Sequence, residues 1–263
     1  MRFWGMFRFT VEEAVRKGTL IFYFCVSTII LLLFALFAGK SPANPNISEL
    51  DAIENNLIML HSVSVSWIIL LGIFGIAGLI PSMLEKGTID LFLSKPLARV
   101  ELLMARALGA VAGIALNLLY FFIGIWLILG LKAGVWHWAF LSSVIYVIYA
   151  FICFFSVVTL VGLITRSSSF SILLAFVFSF VSLVLEARER GLYLLWDNVV
   201  YQRVLDVFYY ITPQLNAMLE NSTRVVGRLP YAPEFTIMPF VYSFFSTLLL
   251  YSLSAWYFSR QDY

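Results

Sequence analysis

Few residues in this chain could make or break bonds, and they are scattered. His61 and His137 stand alone. A metal centre needs several ligands at helical or turn spacing, and neither an H-E-x-x-H pair nor a Cys/His cluster occurs. His137 sits between Trp136 and Trp138, an interfacial setting for a polar ring. Cys25 and Cys153 both fall inside apolar runs, where a disulfide framework is not expected, and read as packing residues. Gly39-Lys40-Ser41 invites a phosphate-binding loop. Such a loop requires a glycine five positions before Gly39, and Phe34 stands there. Serines and threonines are plentiful in the apolar runs, but hydroxyls there commonly satisfy backbone or neighbouring helices, and no base accompanies them. An embedded enzyme acting on lipids would have little beyond Asn117, Glu186 and Glu189 to work with.

The elements that must hold these groups are set by hydrophobicity. Of 263 residues, 62% are hydrophobic and only 12% charged, and the mean hydropathy of +0.93 lies well above a soluble balance. Charges divide the chain into uncharged runs at 18–39, 55–84, 107–131, 133–165, 167–185 and 235–259. About 20 apolar residues cross the hydrocarbon core. No water is available there, so the backbone must close its own hydrogen bonds and each run becomes a helix. The expectation is an all-α membrane protein, one transmembrane domain with six spans at about 19–38, 63–80, 107–131, 138–164, 168–185 and 238–258. The first is too long for a signal-peptide core and reads as an uncleaved anchor. None of the six carries Asp, Glu, Lys or Arg. Ion- and proton-driven transporters usually bury such groups, so energy for any transport would arrive from outside the membrane.

With the N-terminus inside, the short inner segments hold Arg2, Arg8, Arg16, Lys17, Lys86, Lys95, Arg99, Arg106, Arg166 and Arg260, against Lys40 and Lys132 in the short outer loops; the outer segment 186–237 carries five arginines but approaches the length, about 60 residues, at which charge stops counting. That bias places both termini in the cytoplasm. A net charge of only +2 gives no reason to expect nucleic acid as a partner. The opening MRFWGMFRFTVEEAVRKG mixes aromatics with cations and suits a helix lying in the membrane interface. Thr10 and Glu13 have capping-box spacing and would start a helical turn before the first span. Residues 186–237 form the largest outer piece. Within it 196–210 reads as an amphipathic helix with Val200, Val204 and Phe208 on one face, packed on the membrane surface or dipping into it.

Seven charges lie in EKGTIDLFLSKPLARVELLMAR, residues 85–106, between two long apolar runs. Gly87-Thr88 ends the second span and Thr88 supplies an N-cap. Asp90 falls in the first helical turn, where negative charge is favoured. Ile89, Phe92 and Leu93 form one apolar edge. Pro96 disfavours helix at Lys95 and closes the piece, and Arg99 to Arg106 re-enters a helix that becomes span three. The product is a short amphipathic helix tied to two spans, able to dock a partner or to lie on the membrane surface.

These residues resemble a known family, the type-2 ABC transporter permeases. The family's segment between spans two and three runs Glu-x-Gly-Thr, an aliphatic, an acid, leucine-rich positions, Ser-x-Pro, an aliphatic and Arg, then a basic residue seven positions on. Glu85, Gly87, Thr88, Ile89, Asp90, Leu91, Leu93, Ser94, Pro96, Leu97, Arg99 and Arg106 fall on that pattern, with Phe92 where Leu is usual and Arg106 where Lys is usual. The resemblance implies that residues 85–99 are a coupling helix seated on a separate cytoplasmic ABC ATPase. Glu85, Gly87, Thr88, Asp90, Leu91, Phe92, Leu93, Pro96, Arg99 and Arg106 would be the coupling residues. It further implies that two permease copies pair with two ATPases in a bacterial or archaeal plasma membrane, and that substrate is exported. ATP would be bound by the partner and no cofactor by this chain. The alternatives are an assembly or maturation factor working through 186–237, or the lipid-acting enzyme.

Overall fold

The structure is a computed structural model and describes residues 2–37, 49–85, 87–93, 98–196, 198–227 and 236–261. Among the described residues every regular element is a helix. In chain order they are α1 (Arg2–Arg16), α2 (Thr19–Phe37), α3 (Glu49–Ile76), α4 (Leu79–Met83), α5 (Thr88–Leu93), α6 (Arg99–Ala133), α7 (Trp138–Thr165), α8 (Ser168–Glu186), α9 (Leu192–Leu195), α10 (Val199–Ile211), α11 (Leu215–Gly227) and α12 (Met238–Arg260).

Five helices, α2, α6, α7, α8 and α12, are long and apolar enough to cross a membrane. The predicted second span falls on α3 and α4. These 28- and five-residue helices are separated by a break at Ala77 and Gly78. The cause is Pro81, which has no N–H to return to the Ala77 carbonyl and crowds it sterically. At 35 residues α6 is longer than the predicted third span. With about 1.5 Å per residue it measures roughly 52 Å, well beyond a hydrocarbon core of about 30 Å. Its first two turns, with Arg99, Glu101 and Arg106, therefore stand outside the apolar layer.

The core is a seam of side chains centred on α7. Phe140, Val147, Ala150, Phe151, Phe154 and Phe155 of that helix are fully buried, and α7 packs against α6, α8, α11 and α12. Chain direction alternates. At one end of the bundle Arg166, after α7, donates to the Gln261 side chain after α12 (3.0 Å), and Arg99, at the start of α6, donates to the Ser259 carbonyl (3.2 Å) and to that of Gln261. At the other end Lys132 of α6 donates to the Ala35 carbonyl of α2. These contacts put the starts of α2, α6 and α8 and the end of α12 on one side.

Two expectations change. Thr10 and Glu13 do not start a helix, because α1 runs unbroken through both. Thr10 donates its hydroxyl back to the Met6 carbonyl (2.9 Å), and Glu13 is drawn away by Arg106. Part of the segment 186–237 packs into the bundle. Its helix α11 packs against α3, α7 and α8 with Met218 and Ser222 fully buried. The predicted helix at 196–210 is α10, and Val200, Val204 and Phe208 face outward from the bundle. The sequence also reads 39–56 as a polar outer loop; 39–48 lie outside the described residues, and 49–56 belong to α3.

Candidate functional site

The segment 85–106 sits at the end of the bundle that carries Arg99, Arg166 and Gln261. Glu85 and Gly87 are exposed. Gly87 has φ of +86° with open space where a Cβ would stand, so backbone conformation alone demands glycine there. The Glu85 carbonyl accepts from the N–H groups of Thr88 and Ile89, both at 3.1 Å, and closes the first turn of α5. Thr88 is the first residue of that helix instead of a cap before it, because the Gly87 turn already satisfies the free end. Ile89 and Phe92 are buried, so the apolar edge faces the protein. Asp90, Leu91 and Leu93 lie on α5, with side chains outside the described set, and Pro96 lies outside the described residues altogether. Ala98 opens α6, its N–H donating to the Glu101 carboxylate (3.3 Å).

Arg99 and Arg106 turn to different partners. Arg99 turns to the carbonyls that end α12, where a cation complements the helix dipole. Arg106 is 1% exposed and points into the protein. It donates to the Glu13 carboxylate on α1 and to the Leu79 carbonyl on α4 (3.0 Å). Its guanidinium carbon lies 5.4 Å from the Phe92 ring centre and 5.9 Å from that of Phe9. Those two rings meet edge to face at 5.8 Å. Lys17 also pairs with Glu13 (2.8 Å). Partial burial works to raise the Glu13 carboxyl, but Arg106 and Lys17 outweigh it and hold it below the usual carboxylate range. Sequence reasoning missed Glu13 as a partner, since 93 residues separate it from Arg106.

The family model described as "ABC-2 family transporter protein" matches residues 11–263. The chain belongs to this family. No curated protein matches it. As an ABC-2 permease, the protein is a multi-pass membrane transport component.

The other polar groups of this permease are engaged in packing. His61 is buried, with Nδ1 3.2 Å from the Thr223 hydroxyl and Nε2 3.2 Å from that of Ser222. His137 caps α7, its Nδ1 accepting from the Phe140 N–H (3.0 Å). Asn117 accepts from Ser27 (3.1 Å), and Glu186 accepts from the Tyr209 hydroxyl (2.8 Å). Cys25 and Cys153 are free thiols, and among the described residues no cluster could hold a metal ion. At the opposite end of the bundle Arg188 is buried against Asp206 (2.9 Å) and lies 3.7 Å above the Tyr209 ring. The Tyr193 hydroxyl also donates to Asp206 (2.5 Å). The Tyr193 hydrogen bond and the Arg188 charge hold Asp206 below its ordinary range against partial desolvation.

Proposed function

We propose that this permease is the membrane half of an ATP-driven exporter, with α5 as the element through which a separate cytoplasmic ABC ATPase drives it. In this reading α3 with α4 is the sixth span, both termini are cytoplasmic, and two copies of the chain combine with two ATPases in a bacterial or archaeal plasma membrane. The chain itself catalyses nothing; ATP is bound and hydrolysed by the partner. ATP binding draws the ATPases together and displaces α5. That shifts the spans between cavity states by the difference in ATPase binding energy between those states.

The observation that carries the proposal is the form of α5. It is a short helix with its turn residues Glu85 and Gly87 exposed, its Ile89 and Phe92 edge buried, and family-pattern residues throughout. A short helix packed through Ile89 and Phe92 and entered by an exposed turn can receive a partner and pass on its movement. Tagged protein taken from native membranes in mild detergent should carry a stoichiometric partner with a phosphate-binding loop, and Glu85→Arg should weaken that association. A clean preparation lacking any ATPase after crosslinking would refute it.

A second reading has one observation in its favour. Leu194, Leu195, Trp196, Val200 and Phe208 form an exposed apolar row on α9 and α10, suited to an assembly partner on the outer side. Deleting 196–210 separates the two: loss of function with ATPase stimulation intact supports the assembly role.

A further inference from the structure

We infer that Arg106 is a positioning residue that makes the interfacial helix α1, the coupling helix α5 and the α3–α4 break move as one body. This rests on the proposed ATPase docking at α5, and it extends the moving part to an element with no assigned role.

The argument begins with connectivity. By its own packing α5 is held chiefly by α4 among the helices. A six-residue helix so attached could swing without moving the bundle. Arg106 closes that gap. From α6 it binds a carboxylate of α1 and a backbone carbonyl of α4, and it packs on an aromatic ring from α5 and another from α1. Helices α1, α4, α5 and α6 thus meet at one guanidinium. The Leu79 carbonyl lies one residue past the Ala77–Gly78 break, so the same side chain fixes the point where the second span bends.

The chemistry suits fixing a geometry more than adding stability. Burying an ion pair costs desolvation that its attraction roughly offsets, so an apolar replacement of similar volume could stabilise the fold equally. A guanidinium is planar and its hydrogen bonds are directional, so it resists the sliding that apolar faces permit. The rings of Phe9 and Phe92 add attraction to the flat faces of the cation. Close approach of α1 is secured three residues further along. There a Cβ on Gly109 would stand 2.8 Å from the Thr10 Cβ and 3.0 Å from the Phe7 carbonyl oxygen. Such small-residue contacts are how helices approach closely in membranes.

The test uses the complex with its co-purified ATPase, followed by hydrogen exchange of α1 and α5 with and without Mg-ATP and orthovanadate. In the native complex, nucleotide should change protection in both helices together. In Arg106→Met the α5 response should persist while the α1 response falls about fivefold or more. The exchange Glu13→Arg with Arg106→Glu should restore part of it. An α1 response that persists in Arg106→Met, or an α1 silent in the native complex while α5 responds, overturns the inference and leaves the docking proposal standing. A silent α5 overturns both.

A second measurement does not depend on Arg106→Met folding. In a Cys25→Ser background, Phe9→Cys and Phe92→Cys are joined by a short bifunctional thiol reagent. Elements that move as one body keep permease-stimulated ATP hydrolysis at the rate of the same variant before joining. Loss of stimulation on joining shows relative movement and overturns the inference.

Discussion

At the scale of single residues, Gly87 and Gly134 pose the same backbone problem at opposite ends of the bundle. Both have positive φ, +86° and +68°, and a Cβ added to either would have no atom within 4 Å. Alanine at either therefore meets no clash and costs only the left-handed conformation, about 1–2 kcal/mol. Gly87→Ala and Gly134→Ala should lower thermal stability in detergent by similar amounts. Only Gly87→Ala should reduce stimulation of the partner ATPase, because only Gly87 sets the entry to α5. Equal effects of both on stimulation would show that global stability, not α5 geometry, governs coupling. His61 offers a contrast. Its two hydroxyl neighbours have other acceptors, Ser222 the Ser143 carbonyl (3.3 Å) and Thr223 the Leu219 carbonyl (3.0 Å). His61→Leu leaves no hydroxyl proton stranded, and its cost should stay near the net worth of ordinary hydrogen bonds, about 1 kcal/mol. A larger loss in a thermal-shift measurement would mean that the imidazole does more than fill this space.

At the scale of elements, α11 is held by close packing against α3, α7 and α8, so size at Ser222 matters more than polarity. Ser222 has no exposed surface, and overpacking a filled site costs about 1–3 kcal/mol. Ser222→Leu should push α11 outward and make Arg224, now paired with Glu220 (2.7 Å), a faster site of tryptic cleavage. Ser222→Ala should not. If both cleave alike, α11 is held by hydrogen bonds instead of packing. This helix also marks the limit of what the chain's pattern discloses. The six uncharged runs were legible because a hydrocarbon layer imposes length and forbids charge, and five of them emerge as helices of spanning length and composition. Helix α11 was not legible: at 13 residues, with Glu220 and Arg224 on its free side, it resembles any surface helix. The break between α3 and α4 was written in Pro81 but hidden by the unbroken hydrophobicity around it. In the candidate site, local pattern located α5 and its buried edge. It was silent about Glu13, because no local periodicity links residues 93 positions apart.

At the scale of the whole molecule, two charged knots sit at opposite ends of the bundle and so face opposite compartments under the proposed topology. One is Glu13 with Arg106 and Lys17; the other is Asp206 with Arg188 and Tyr193. In both, the carboxyl is held below its unfolded value. A depressed carboxylate contributes stability that is present above the unfolded value, about 4, and is lost as pH falls through the lower, folded value. Neutral pH therefore leaves both knots intact, and only strongly acidic conditions release them. In vesicles holding the protein in its cellular orientation, acidifying the outside alone should lower the protection of α9 and α10, read against the intrinsic exchange rate at that pH, while α1 stays protected. Acidifying the lumen alone should do the reverse. The two compartments thereby report which end of the bundle each faces. A response of α1 to external acid would invert the topology, and with it the placement of α5 on the cytoplasmic side.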